Sequence, residues 1–285
     1  MKTIKKKKRM TAMVLVVVLS LLFTLSGCSM PENHEQTENP LREVMLLYLS
    51  DGYTVTATGM KTMEHGVEIG FEIDNQSDRD IRVITAELSV NGYMLPTSIL
   101  YSEVDAGQTV EDTLVLTASD LAEAGIEAVV NIEFYLNILD KNTGTVIYDD
   151  NLFCLEPTVS ADYVQPVDDS GDVILDANDV RVVSKGLRDD GPWNGDLVFY
   201  FENNLYRSVT VGIENISVNG IPVDKNMQVS LRAYTKCMDG LDVLAMEDIG
   251  IAEISEISSM EFTLRVLDRY GREIANNGVI SLNFD

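Results

Sequence analysis

Apolar and polar residues alternate along much of this chain with a period of two. Ile69, Phe71 and Ile73 fall on one side of an extended chain, and Glu68, Glu72 and Asp74 fall on the other. Val130, Ile132, Phe134, Leu136 and Ile138 alternate over nine residues. This is the pattern of strands with one buried and one wet face. Tyr53, Val55 and Ala57 predict a strand that turns at Gly59, and Leu114-Val115-Leu116 and Val146-Ile147-Tyr148 predict two more. Arg42–Leu49 (REVMLLYL) is apolar and fits a first strand or a short helix equally. Asn91-Gly92 predicts a tight hairpin turn, since both residues tolerate positive φ. Ser119–Ala124 suits one helical turn with Ser119 as its N-cap and Gly125 at its end.

The pattern occurs twice. Glu68–Gly92 (EIGFEIDNQSDRDIRVITAELSVNG) returns at Asp196–Gly220 (DLVFYFENNLYRSVTVGIENISVNG), at an offset of 128 and with eight of 25 positions identical. Ile132–Asp140 (IEFYLNILD) returns at the same offset as Met260–Asp268 (MEFTLRVLD). Two blocks that keep one spacing mark a duplicated domain, with a period far too long for a solenoid unit. In both copies the apolar set changes parity along a strand, which predicts a bulge near Ala86 and near Asn215. In the first copy a continuous strand through Ile84, Ala86, Leu88 and Val90 also fits. Asn75 and Arg79 return as Asn203 and Arg207, which suggests a shared turn and a strand-end ion pair.

Each copy offers seven or eight short strands, regularly spaced turns and no long helix. The expected fold is therefore all-β: two tandem antiparallel sandwiches, each with a short helical turn. The expected boundaries are 1–27 for an export signal, 28–43 for a flexible tether and 44–156 for the first sandwich. A linker follows at 157–171, then the second sandwich at 172–285. In the second copy, Lys185-Gly186-Leu187 reads as a turn and Trp193 sits in a Gly/Asp/Pro loop (GPWNG).

Charge separates the leader from the rest. Six of the 21 basic residues lie within Lys2–Arg9, which leaves 15 against 46 acidic ones beyond residue 27. Such a surface repels nucleic acid and anionic lipid and favours cationic partners or metal ions. The basic leader is followed by the apolar run Met10–Leu25 and by Leu25-Ser26-Gly27-Cys28. That box resembles the lipobox of bacterial lipoproteins. The resemblance implies that Cys28 Sγ carries diacylglycerol and becomes the mature N-terminus, anchored on the extracytoplasmic face of the membrane.

The alternating strands, the Asn after the first long strand, the helical turn before E-F-x-L-x-(I/V)-L-D and the lipobox together resemble the immunoglobulin-like domains of Firmicutes lipoproteins, over about 45–153 and 173–285. The Cys…Trp…Cys pattern of antibody domains is absent, and the resemblance implies no reaction, cofactor or catalytic residue. Asp74, Asp78 and Asp80 have the short spacing of calcium ligands, but the second copy carries Glu202, Tyr206 and Ser208 there. An acidic solvated turn closed by the Asn75 amide fits better. Cys154 and Cys237 lie at non-equivalent positions, which favours two buried free thiols over an interdomain disulfide. The only histidines are His34 and His65, too few for a histidine-rich zinc site. The expected function is a membrane-anchored binding or scaffold lipoprotein whose partner is a basic protein or a cell-envelope component, not nucleic acid. The alternatives are a cell-wall glycan hydrolase using a carboxylate pair and a passive surface spacer.

Overall fold

The computed structural model describes residues 45–50, 52–149, 151–157, 163–189, 195–243, 250–251 and 253–284. The leader, the tether with Cys28 and His34, and Trp193 lie outside the described residues. In chain order the first copy forms β1 (Met45–Ser50), β2 (Tyr53–Met63), β3 (Gly66–Asn75), β4 (Ile81–Val90), β5 (Tyr93–Met94), β6 (Tyr101–Val104), β7 (Gln108–Thr117), α1 (Ala118–Glu123), β8 (Ile132–Asp140), β9 (Val146–Tyr148) and β10 (Leu152–Leu155). The second forms β11 (Asp172–Ala177), β12 (Val180–Arg188), β13 (Asp196–Asn203), β14 (Val209–Val218), β15 (Ile221–Pro222), β16 (Met227–Leu231), β17 (Lys236–Asp242), a 3-10 turn at Ile254–Glu256, β18 (Ser259–Asp268) and β19 (Glu273–Asn283). The strands outnumber those expected, because arms as short as β5 and β15 carry too little alternation to read.

Each copy is an antiparallel immunoglobulin-like sandwich. In the first, β1-β2-β3-β7 face β10-β8-β4-β5, with β6 and β9 paired to β4 and β8. The second repeats this with β11-β12-β13-β17 against β15-β14-β18-β19, and β16 paired to β14. The alternation seen in sequence is the burial pattern of the strands: Ile132, Phe134, Leu136 and Ile138 of β8 all point inward. Phe71 of β3 meets Phe134 of β8 edge-on at 6.2 Å, and Phe199 of β13 meets Phe262 of β18 edge-on at 5.8 Å. The duplication thus preserves one aromatic bridge between the sheets of each copy, worth about 0.5–1.5 kcal/mol beyond its burial.

Several local expectations hold. The register of β4 against β8 shifts between Ala86 and Ser89, and that of β14 against β18 between Glu214 and Ser217. Glu87 and Asn215, at equivalent places, take φ of 49° and 54°. Asn91-Gly92 and Asn219-Gly220 are two-residue turns with positive φ at both positions. Of the two readings open for Arg42–Leu49, the structure takes the strand: the described residues 45–49 lie in β1. Other expectations are corrected. Gly59 and Gly186 mark bulges inside β2 and β12, not turns; a bulge interrupts the period of two much as a turn does. Thr117, not Ser119, caps α1, its hydroxyl accepting from Asp120 N at 3.1 Å, because the helix starts two residues earlier.

The two sandwiches belong to one compact unit. The β10-β8-β4-β5 sheet of the first continues into the β17-β13-β12-β11 sheet of the second, because β5 pairs in parallel with β17 and Lys236 N donates to Gly92 O at 2.9 Å. Apolar groups cross the joint as well. Val183 and Tyr200 pack into the first core, and Met94 packs into the second. The described linker residues 163–171 reach both sandwiches at this joint: Gln165 Nε2 donates to Gly125 O at 2.8 Å, and Asp168 pairs with Lys185 at 2.8 Å.

Candidate functional site

The site grows from a buried asparagine at the end of β13. Asn203 is fully buried, and its Nδ2 donates to Arg207 O at 2.9 Å and Arg232 O at 2.7 Å. Its Oδ1 accepts from Leu205 N at 3.0 Å. One side chain therefore fixes two loops, 204–208 and 232–235, against each other. A third segment, 269–272, is fixed by Asp268. Its Oδ1 accepts from Tyr270 N at 2.9 Å and Arg272 N at 3.0 Å, and its Oδ2 lies 2.7 Å from Arg272 Nη2. The Arg272 guanidinium holds the Asp268 carboxyl down to about 2.

These three segments face the Asn91-Gly92 turn, β8 and β10 of the first sandwich across an open cleft of about 940 Å³. Four arginines line it, Arg207, Arg232, Arg269 and Arg272, against two carboxylates, Glu133 and Asp268. In a chain this acidic the cleft is a local reversal of sign. Arg232 is only 5% exposed, and its Nη2 donates across the joint to Glu133 Oε2 at 2.9 Å and to Ser89 Oγ. Its Nε and that of Arg207 are buried without a partner among the described residues. Buried donors of this kind cost stability unless something satisfies them.

The arginines are interleaved with tyrosines. Tyr206, Tyr234 and Tyr270 line the cleft and are 75%, 65% and 66% exposed. Arg269 and Arg272 stack over the Tyr270 ring at 4.8 Å and 5.1 Å, which holds their planar guanidinium groups in place. Among the described residues no cation stacks on Tyr206 or Tyr234 in this way. Tyr234 also sits at φ 59°, a left-handed conformation that is uncommon for a bulky residue.

The first copy has the same scaffold without this chemistry. Asn75 Nδ2 donates to Arg79 O at 2.8 Å and to Val104 O and Asp105 O at 3.1 Å, so it ties the equivalent loops. There Tyr206 is Asp78, Arg232 is Asp105, Tyr234 is Gly107 and Tyr270 is Asn142. Pairing of Ile81 with Val104 and of Val209 with Leu231 sets the middle of that alignment, one residue off the main offset. Gly107 takes φ 72°, so the second copy places a tyrosine where the same backbone shape is met by glycine in the first.

The residues singled out from sequence fall elsewhere. Asp74 Oδ1 accepts from Gln76 and Thr109 at 2.6 and 2.7 Å, Asp80 Oδ1 accepts from Ala106 N at 3.0 Å, and the Asp78 side chain is solvated. Among the described residues no three His, Cys, Asp or Glu gather as metal ligands. The shared ion pair expected of Arg79 and Arg207 does not form in both copies: Arg79 lies 3.8 Å from exposed Asp78, whereas Arg207 turns into the cleft. Cys154 and Cys237 are free, Cys154 half-buried and Cys237 buried, and burial pushes both thiols up. His65 Nε2 lies 3.0 Å from Glu68. Periodicity and motif spacing do not single out the tyrosines and arginines of the second copy as a group. Their signal is the difference between the copies at loop positions, not the identity that reveals the repeat.

No protein-family model matches the chain, and no curated protein matches it. Among solved structures it is similar to the YadV chaperone, at 11% identity and a TM-score of 0.22, over 76% of this chain and 92% of that one. It is also similar to the CsuC–CsuE chaperone–tip adhesion subunit complex of the Csu pili of Acinetobacter baumannii, at 9% identity and a TM-score of 0.18, over 75% and 90%. At such TM-scores the fold rests on the sheets themselves. No helix among the described residues is long and apolar enough to cross a membrane.

Proposed function

We propose that this chain is a lipid-anchored binding lipoprotein of the extracytoplasmic membrane face, and that it holds an anionic ligand in the cleft between its sandwiches. The observation that carries the reading is the convergence of three loops that each bear an arginine and a tyrosine: Tyr206 with Arg207, Arg232 with Tyr234, and Arg269 with Tyr270. Guanidinium groups recognise carboxylate and phosphate through paired N–H donors. The lipobox at Cys28 supports the anchor, and the polar tether supports reach from the bilayer. The acidity that favours basic partners over the surface as a whole is reversed inside the cleft.

A hydrolase has less support. It needs one carboxyl raised towards neutrality beside one that stays ionised. In the cleft Asp268 is held down to about 2, and Glu133 is paired with Arg232. Glu123 of α1 is pushed up to about 7, but it does not line this cleft.

Titration of the full chain in detergent with inorganic polyphosphate tests the anion site. Binding is expected at low salt, falling as salt screens the charges, and Arg207→Ala with Arg269→Ala should weaken it at least about tenfold, on the scale of a lost charge-assisted pair. Equal binding by wild type and the double variant would remove the cleft as the site.

A further inference from the structure

Building on that anion site, we infer that its ligand is an anionic carbohydrate: a chain of sugar rings bearing phosphate or carboxylate groups. Arginines alone would suit any anion. The tyrosines narrow the choice. Tyr206 and Tyr234 leave most of their surface to solvent, and among the described residues neither carries a stacked guanidinium. An exposed aromatic ring beside a fixed cation offers an apolar face to the C–H side of a sugar ring and a donor to the charged substituent.

Tyr234 makes the strongest case. Its backbone is left-handed, its side chain is largely exposed, and the first copy meets the same geometry with Gly107. A tyrosine there strains the backbone and buries little surface in return. The fold gains nothing visible from it, whereas the cleft gains a ring beside Arg232. Tyr206 is displayed in the same way opposite the Asn91-Gly92 turn, where the first copy carries Asp78. Tyr270 differs: its ring is occupied by Arg269 and Arg272, so it positions cations and is not a platform.

The test uses the full chain in detergent and three kinds of probe of matched length: a hexose-phosphate or galacturonate oligomer, inorganic polyphosphate, and a neutral N-acetylglucosamine oligomer. The anionic sugar oligomer should bind about tenfold tighter than either other probe, the scale of one aromatic contact added to the ionic ones. The phosphate and carboxylate arms tell which anion the site prefers. Tyr234→Gly should lower affinity for that oligomer about tenfold and affinity for polyphosphate by no more than about twofold, since the ring adds to the sugar contact and the arginines carry the anion. The same change should raise the melting temperature by about 2–4 °C through relief of the left-handed strain. A tyrosine with only a structural role would lower the melting temperature instead. If polyphosphate binds as tightly as the oligomers and Tyr234→Gly alters neither, the carbohydrate assignment is overturned while the anion site stands. If no probe binds, both fall.

Discussion

Arg232 Nη2 lies 2.9 Å from Glu133 Oε2, and this pair joins the second sandwich to the first at the mouth of the cleft. The two partners are unequally buried, with side chains 5% and 32% exposed. Removing the carboxylate therefore strands a buried cation, which costs more than the pair itself contributes. Glu133→Ala should destabilise the protein by about 1–3 kcal/mol. Adding Arg232→Met should recover part of that loss, because an apolar chain of similar length needs no partner. Urea unfolding of the two single variants and the double variant gives the coupling. Additive losses would mean that the contact does not hold the joint.

Asn203 and Asn75 perform the same hydrogen bonding in two settings, which separates stability from binding. Either change to Ala should cost about 2–4 kcal/mol, since several buried backbone groups lose their partner. Only Asn203→Ala should also weaken polyphosphate binding, because only its loops carry the cleft arginines. Thermal melts and titrations of both variants check this, and equal loss of binding from Asn75→Ala would contradict it.

Glu123 predicts a pH dependence at the joint. Burial, then the charges of Asp120, Asp239 and Asp196, push its carboxyl from 4.5 up to about 7. Asp196 and Asp239 are raised too, chiefly by burial. A raised carboxyl binds its proton more tightly in the folded state. Its favourable contribution is complete below about pH 4.5 and is lost as pH rises towards 7. The urea midpoint should therefore fall between pH 5 and pH 8, and Glu123→Gln should flatten that fall. An unchanged slope in the variant would place the pH dependence on other groups.

Cys28 carries the anchoring proposal. In a lipidating host the wild-type chain should enter the detergent phase on phase partition, and Cys28→Ser should stay in the aqueous phase. Equal partition would remove the lipid from the account.

The periodic part of this protein is legible in its sequence. Alternation of two residues follows directly from strand geometry, so Phe134 and Phe262, like Phe71 and Phe199, are assigned to a core by their positions in the pattern alone. The duplication, the Asn-Gly turns and the paired bulges at Glu87 and Asn215 are legible for the same reason: each is a local backbone demand written at two places. Gly59 and Gly186 read as turns because a bulge and a turn interrupt the period alike.

What only the tertiary structure decided is the joint and the cleft. Nothing local says that β5 will extend the sheet of β17, or that Arg232 will reach Glu133 from 99 residues away. Side chains at 206, 232, 234 and 270 sit on three separate loops, and loop residues obey no period. Their meeting depends on Asn203 and Asp268 fixing loop backbones, and on a second sandwich closing the other wall. Net charge misleads in the same way. It sums over the whole chain, whereas a ligand meets only the few groups that folding brings within a Debye length of one another.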